Sequence, residues 1–103
     1  MEDNLQREEQ FNYAKNIPIQ LCNICNTKGD ITPRWFRFED EEHCIHTIKI
    51  LSIVSHKEIN YVGIKMIQFI CKTYEEDNNN KENLIELRYN ILTHRWIFFQ
   101  TLS

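Results

Sequence analysis

Hydrophobic and polar residues alternate along the C-terminal part of the chain, in two runs at residues 84–89 and 95–99. A period of two places one set of side chains on each face of a β-strand. The density of β-branched and aromatic residues in both runs agrees with that assignment. Since only five residues separate the runs, they predict a β-hairpin.

Four more strands are predicted upstream, and polar segments with turn residues separate them. The strands are predicted at residues 17–26, 32–38, 43–55 and 64–74, and the separating segments at 27–30, 39–42, 56–63 and 75–83. Gly29 and Gly63 supply the freedom for a positive φ in two of these segments. Six short strands in hairpin order predict an all-β fold: a small antiparallel barrel or a strongly curled sheet.

The chain has 103 residues, enough for one hydrophobic core. We therefore predict a single β domain at residues 17–103. Residues 1–16 carry many charges and no apolar stripe, and they predict a polar N-terminal tail or short helix. Such a segment is expected to become ordered only if Phe11 and Tyr13 pack on the barrel.

The alternating faces also predict the core and what is left outside it. The predicted core consists of Phe36, Phe38, Ile48, Ile50, Leu51, Ile67, Phe69, Ile85, Leu87, Trp96 and Phe98. Both faces of the third and fourth strands are apolar, so Ile53, Val54, Met66 and Ile70 are expected to lie partly outside this core. An uncovered apolar patch favours a homodimer, unless barrel closure or the N-terminal tail covers these residues within the monomer.

Composition narrows the class of protein. Hydrophobic residues make up 42% of the chain and charged residues 26%, and the formal net charge is −3. These values are typical of a soluble globular domain, and the acidic balance disfavours a general nucleic-acid binder. No apolar run approaches the ~20 residues that cross a bilayer, and the N-terminus, MEDNLQREEQ, is unlike a signal peptide. The sequence therefore predicts a cytoplasmic protein with reduced cysteines.

The order of several short motifs resembles that of a known group of proteins. G-D-I-T-P at residues 29–33 precedes Trp35, an Ile-rich run follows at 45–55, and W-I-F-F is the last motif, at 96–99. This order resembles small stand-alone all-β proteins of bacteria, mostly Gram-positive, to which no function is assigned. The resemblance implies a small β domain and brings no catalytic or binding residues. The N-terminal tail and the Asn-rich segment at 75–83 depart from the pattern.

Cysteine spacing raises a zinc hypothesis. Cys22 and Cys25 have the C-x-x-C spacing of zinc knuckles, and Cys44 and His46 are the available further ligands. Within a strand, however, an offset of three places Cys22 and Cys25 on opposite faces. Structural or incidental cysteines are therefore the favoured interpretation, with zinc as an alternative, and no cofactor is predicted. Cys71 lies among apolar residues and is expected in the core.

Sequence motifs give no support to an enzyme. His43, Cys44 and His46 are close in sequence, but a nucleophilic Cys–His pair also needs spatial adjacency and an orienting third group. No phosphate-binding Gly-rich loop or nucleophile elbow is present. The acidic turn at residues 39–42 lacks the spaced ligands of a calcium loop and predicts a solvated hairpin tip.

The remaining candidates are binding surfaces. A stacking surface for single-stranded nucleic acid is one hypothesis, and its residues would be Trp35, Arg37, Tyr61 and Tyr89. Alternatively, Trp35 covers one end of the barrel and the arginines pair with carboxylates such as Glu86. We favour a non-catalytic binding or protein-interaction module, because sheet edges readily accept another strand. A nucleic-acid-associated accessory domain and a small zinc-binding domain are the alternatives.

Overall fold

Six antiparallel strands, joined in chain order, close into a barrel in the computed structural model, which describes residues 17–75 and 81–103. The strands are β1 (Ile17–Cys25), β2 (Ile31–Glu39), β3 (Ile45–Tyr61), β4 (Ile64–Glu75), β5 (Lys81–Asn90) and β6 (Trp96–Thr101). Pairing of β1 with β6 closes the barrel. The predicted all-β antiparallel barrel is confirmed. The predicted tail or helix at 1–16 lies outside the described residues.

Alternation along the strands fills the barrel interior. The core cluster consists of Phe36, Ile48, Phe69, Cys71, Ile85, Leu87, Trp96 and Phe98, and each large apolar side chain of this kind contributes roughly 1.5–3 kcal/mol on burial. Phe38, Ile50 and Ile67 are partly buried and pack against it. The predicted core is thus confirmed except at one position. Leu51 is 52% exposed, so its assignment to the core was wrong.

Leu51 follows Ile50, which packs against the core, so alternation itself places Leu51 on the outer surface. The register of β3 with β4 also shifts twice, and the extra residues are Leu51 and Val54. The first bulge keeps the next residue, Ser52, on the outer face, where it pairs with Lys72. Val54 is 56% exposed, as expected. Met66, which was also expected outside, is only 6% exposed, in a position where it pairs with Ile59 of β3 and Asn90 of β5.

The hairpin itself is longer than predicted. Residues 56–63 were predicted as a loop, but β3 continues to Tyr61 and pairs with β4 up to the turn. Val62 and Gly63 make this turn with φ values of 51° and 82°, and the side-chain oxygen of Asn60 accepts a hydrogen bond from the Gly63 N–H at 2.9 Å. Polar residues concealed the strand in the sequence, since main-chain pairing rather than apolar alternation sustains it.

The extra length of β3 leaves part of one edge without a partner. β2 pairs with β3 only from Ile45 to Lys49. From Ile50 to Tyr61, β3 has β4 on one side and, within the described residues, no strand on the other. The described residues also contain no helix with the length and apolarity to span a membrane.

Candidate binding surface

We call residues 50–61 of β3 the free edge, since they lack a neighbouring strand on the β2 side within the described part of the chain. Main-chain N–H and C=O groups of an edge strand point outward and can pair with another strand. The first part of the free edge contains both bulges, which disrupt regular pairing. The second part, residues 55–61, pairs with β4 without a register shift. These seven residues form a regular edge of ordinary strand length.

Side chains on the two faces of the free edge differ in character. His56 is on the inner face, where its ring stacks on that of Phe69 with a centroid distance of 5.9 Å. Lys57 is on the outer face because it pairs with Gln68, whose neighbours in β4 face the core. A strand added here would therefore meet His56, Glu58 and Asn60 on the inner face, and Lys57, Ile59 and Tyr61 on the outer face.

The outer surface beside the free edge is basic. Its cationic residues include Arg37, Lys49, Lys57 and Lys72, which alternation and pairing register place on the outer faces of β2, β3 and β4. Arg34 is an exposed extra residue at the register shift between β2 and β1. The outward-facing residues of β3 from position 47 and of β4 up to position 74 include no Asp or Glu. This single-sign patch raises the local concentration of anions, although the whole chain has a formal net charge of −3.

The aromatic residues predicted for stacking do not share one surface. The Arg37 guanidinium lies 5.1 Å from the centroid of the Trp35 ring, and this pair borders the basic surface. Tyr61 instead packs on Phe99, with a centroid distance of 6.4 Å. Tyr89 packs against the core, 4.9 Å from Trp96 between ring centroids. Only Trp35 and Arg37 therefore remain candidates for binding at this surface.

A second cluster, on the outer face of β5 and β6, surrounds the carboxylate of Glu86. Glu86 is 3% exposed, and its carboxylate accepts hydrogen bonds from Arg88 Nε at 2.7 Å, Gln100 Nε2 at 2.9 Å and Gln68 Nε2 at 3.0 Å. Burial raises the pKa of Glu86, but these three donors and the charge of Arg88 outweigh it, so the pKa is lowered overall. An arginine does pair with Glu86, but Arg88 lies two residues away in the same strand, whereas the prediction was pairing across strands.

The His46 ring stacks on that of Phe38, with a centroid distance of 5.0 Å. Its Nε2 lies 2.7 Å from Asp40 Oδ2 and its Nδ1 lies 3.3 Å from Glu75 Oε1. The hydrogen bond to Asp40 is the main cause of a raised His46 pKa, and the same bond lowers the pKa of Asp40. Asp40 Oδ1 also accepts main-chain hydrogen bonds from Glu42 and Cys44. Asp40 therefore shapes the turn as well as holding His46.

The zinc candidates do not converge. Cys22 pairs with Trp35 and Cys25 with Ile31, so the two thiols lie on opposite faces of β1, as the offset of three predicts. Both nitrogens of His46 face carboxylates at opposite ends of the ring. In residues 17–75 and 81–103, no group of three or more His, Cys, Asp or Glu side chains is arranged to hold a metal ion.

The three features differ in what they leave unused. The carboxylates and the imidazole of the Glu86 and His46 clusters have internal partners, and Arg88 Nη1 is buried without a hydrogen-bond partner in the described residues. The free edge, in contrast, carries main-chain groups without a strand partner in the described residues. The polar sequence of residues 56–63 predicted a loop, so this edge was not predicted. Comparison with known proteins adds no information: no protein family, no curated protein and no solved structure matches the chain.

Proposed function

We propose that this protein is a non-catalytic binding module that captures an extended segment of another protein on the free edge of β3. The observation that carries the proposal is the length of β3. It has 17 residues, and its pairing with β2 ends at Lys49. Strand addition at such an edge gives affinity through main-chain hydrogen bonds and specificity through alternate side chains.

The distribution of bulges supports residues 55–61 as the binding segment. Bulges and edge lysines are devices that discourage uncontrolled strand pairing. Here the bulges are confined to the stretch before Ser55, so they interrupt a long flat edge but leave a regular one of seven residues. Lys57 adds a charge that a suitable ligand has to accommodate. Both features favour a short, selected strand over indiscriminate association.

The titratable groups support a binding role over catalysis. Of the described histidines, His46 is held between two carboxylates, and His94 Nδ1 lies 2.7 Å from the Tyr89 hydroxyl. The described contacts include no hydrogen bond between a cysteine thiol and an imidazole. A nucleophile activated by a neighbouring base needs such a contact.

Panning a displayed library of random eight-residue peptides against the full-length protein tests the proposal. Recovered peptides should contact the free edge, so amide hydrogen exchange at residues 55–61 should slow when a synthetic copy is added. Protection arises because the N–H groups of β3 that point away from β4 become hydrogen-bonded to the peptide strand. A failure to recover binders, or protection only at other strands, would overturn the proposal.

Two proline variants sharpen the test. Consecutive residues of a strand direct their N–H groups to opposite sides. One of His56→Pro and Lys57→Pro therefore removes an N–H that bonds to β4, and the other removes an N–H that points away from β4, toward the bound peptide. Melting temperature identifies the variant that retains the β3–β4 pairing better. That variant should lose peptide binding, and unchanged binding would contradict strand addition.

A further inference from the structure

We propose that the segment captured at the free edge is acidic, with carboxylate side chains at alternate positions that face the basic outer surface. This inference rests on the proposed function, since it specifies the chemistry of the ligand for the same edge. An added strand has a two-residue period. Its side chains alternate between the inner and outer faces of the sheet that it joins, so the two faces select different residues.

Cations surround the outer side of the free edge. Lys57 belongs to its regular part, and Lys72 pairs with Ser52 in the bulged part. Arg34, in β2, is an exposed residue at the register shift against β1. No carboxylate occurs among the outward-facing residues of β3 from position 47 or of β4. Alternate carboxylates on an added strand would therefore meet positive charges only, and cross-strand pairs of opposite charge are stabilising.

The inner side disfavours carboxylates. Glu58 pairs with Ile67 and shares the inner face of the free edge with His56, so an inward-facing carboxylate on an added strand would meet a like charge. Uncharged apolar side chains on that face avoid the repulsion. The acidic residues are thereby assigned to one face, which yields a testable pattern of apolar and acidic residues in turn.

The inference can be tested with three nine-residue peptides that have blocked termini and share one alternating pattern. In each, valine alternates with a variable residue that is glutamate, glutamine or lysine. We expect the glutamate peptide to bind about tenfold more tightly than the glutamine peptide at low salt, since each exposed ion pair contributes a factor of about two to five. The difference should shrink as salt is added, and the lysine peptide should not bind.

Matched charge reversals locate the effect. Lys57→Glu and Lys72→Glu should each weaken binding of the glutamate peptide severalfold and leave the glutamine peptide nearly unaffected. Lys65→Glu is the control: this exposed lysine is in the same strand as Lys72, but it pairs with Asn60 and faces the other side. An equal effect of Lys65→Glu would overturn the inference, because a general change of net charge would then explain it.

The outcomes separate this inference from the proposed function. Equal affinity for the glutamate and glutamine peptides, with protection of residues 55–61, would overturn the acidic preference and leave strand capture standing. Tight binding of the glutamate peptide without protection at the edge would overturn strand capture. A single-stranded oligonucleotide that binds more tightly than the glutamate peptide, and is sensitive to Lys72→Glu, would replace the acidic peptide with nucleic acid. A dimer that buries residues 55–61 would replace it with a second copy of the chain.

Discussion

The guanidinium carbon of Arg88 lies 3.5 Å from the centroid of the Phe99 ring. Tyr61, at the end of β3, has its ring centroid 5.1 Å from the same guanidinium carbon. The hairpin tip thus packs on the outer face of the neighbouring strands and buries an ion pair there. Because Tyr61 ends the free edge, this stack also anchors the edge to the barrel.

Removal of the carboxylate of this pair should be costly. In Glu86→Ala, the Arg88 guanidinium and the amides of Gln68 and Gln100 lose their acceptor inside the cluster. We expect a loss of about 3 kcal/mol in the free energy of unfolding, the scale for breaking a buried pair, measured by urea denaturation. Glu41→Ala, at an exposed turn position, is the control and should change stability by less than ~0.5 kcal/mol. Similar values for both variants would contradict burial of the pair.

His46 should make stability depend on pH. Its folded-state pKa is raised above 6.5, so its contribution is fully present below pH 6.5 and is lost as the pH rises through the folded-state pKa. Asp40 has a lowered pKa, so its contribution is lost only as the pH falls through a value below 3.8. His46→Gln should therefore lower the melting temperature more at about pH 5.5 than at about pH 8.5.

His43→Gln is the control for this experiment, since the His43 side chain is 86% exposed. This variant should melt close to the unmodified protein at every pH. If the stability difference between His46→Gln and the unmodified protein stays constant from acid to alkaline pH, the interaction with Asp40 and Glu75 does not depend on a protonated imidazole.

Thiol reactivity should divide the four cysteines three to one. Cys22, Cys25 and Cys44 are exposed, whereas Cys71 is buried, and burial raises the Cys71 pKa to about 12. Since the thiolate is the reactive form, we expect a disulfide reagent to modify three thiols in the native protein and the fourth only after denaturation. Mass spectrometry of the labelled peptides identifies them. Rapid native labelling of Cys71 would show that the barrel opens easily.

The hairpin turn should tolerate a stabilising substitution. Val62 has a φ of 51°, which is unfavourable for a β-branched residue, and it is 85% exposed. Asn adopts this region readily and favours two-residue turns before Gly. Val62→Asn should therefore raise stability by about 1 kcal/mol, measured by thermal unfolding. Gly63→Ala, at a φ of 82°, should lower it. A lower melting temperature for Val62→Asn would indicate that the Val62 side chain makes a stabilising contact.

Alternation in the sequence was sufficient to predict the strands and most of the core. Leu87 and Phe98 face inward because a period of two leaves them no other face once their neighbours are outside. The number of strands and their antiparallel order follow from the same pattern and from the short polar turns. The opposite placement of Cys22 and Cys25 was predictable too, since β1 keeps its alternation through both residues.

Only the tertiary structure decided which positions depart from alternation and which edge stays open. Ser52 and Ser55 face outward because two bulges in β3 change the register with β4, and no local signal marks those bulges. Glu86 is buried because the amides and guanidinium that satisfy it come together only when β4, β5 and β6 pair. The free edge depends on the unequal extents of the β2–β3 and β3–β4 pairings. Each of these features is a relationship between distant segments, whereas the period of a strand is a property of consecutive residues.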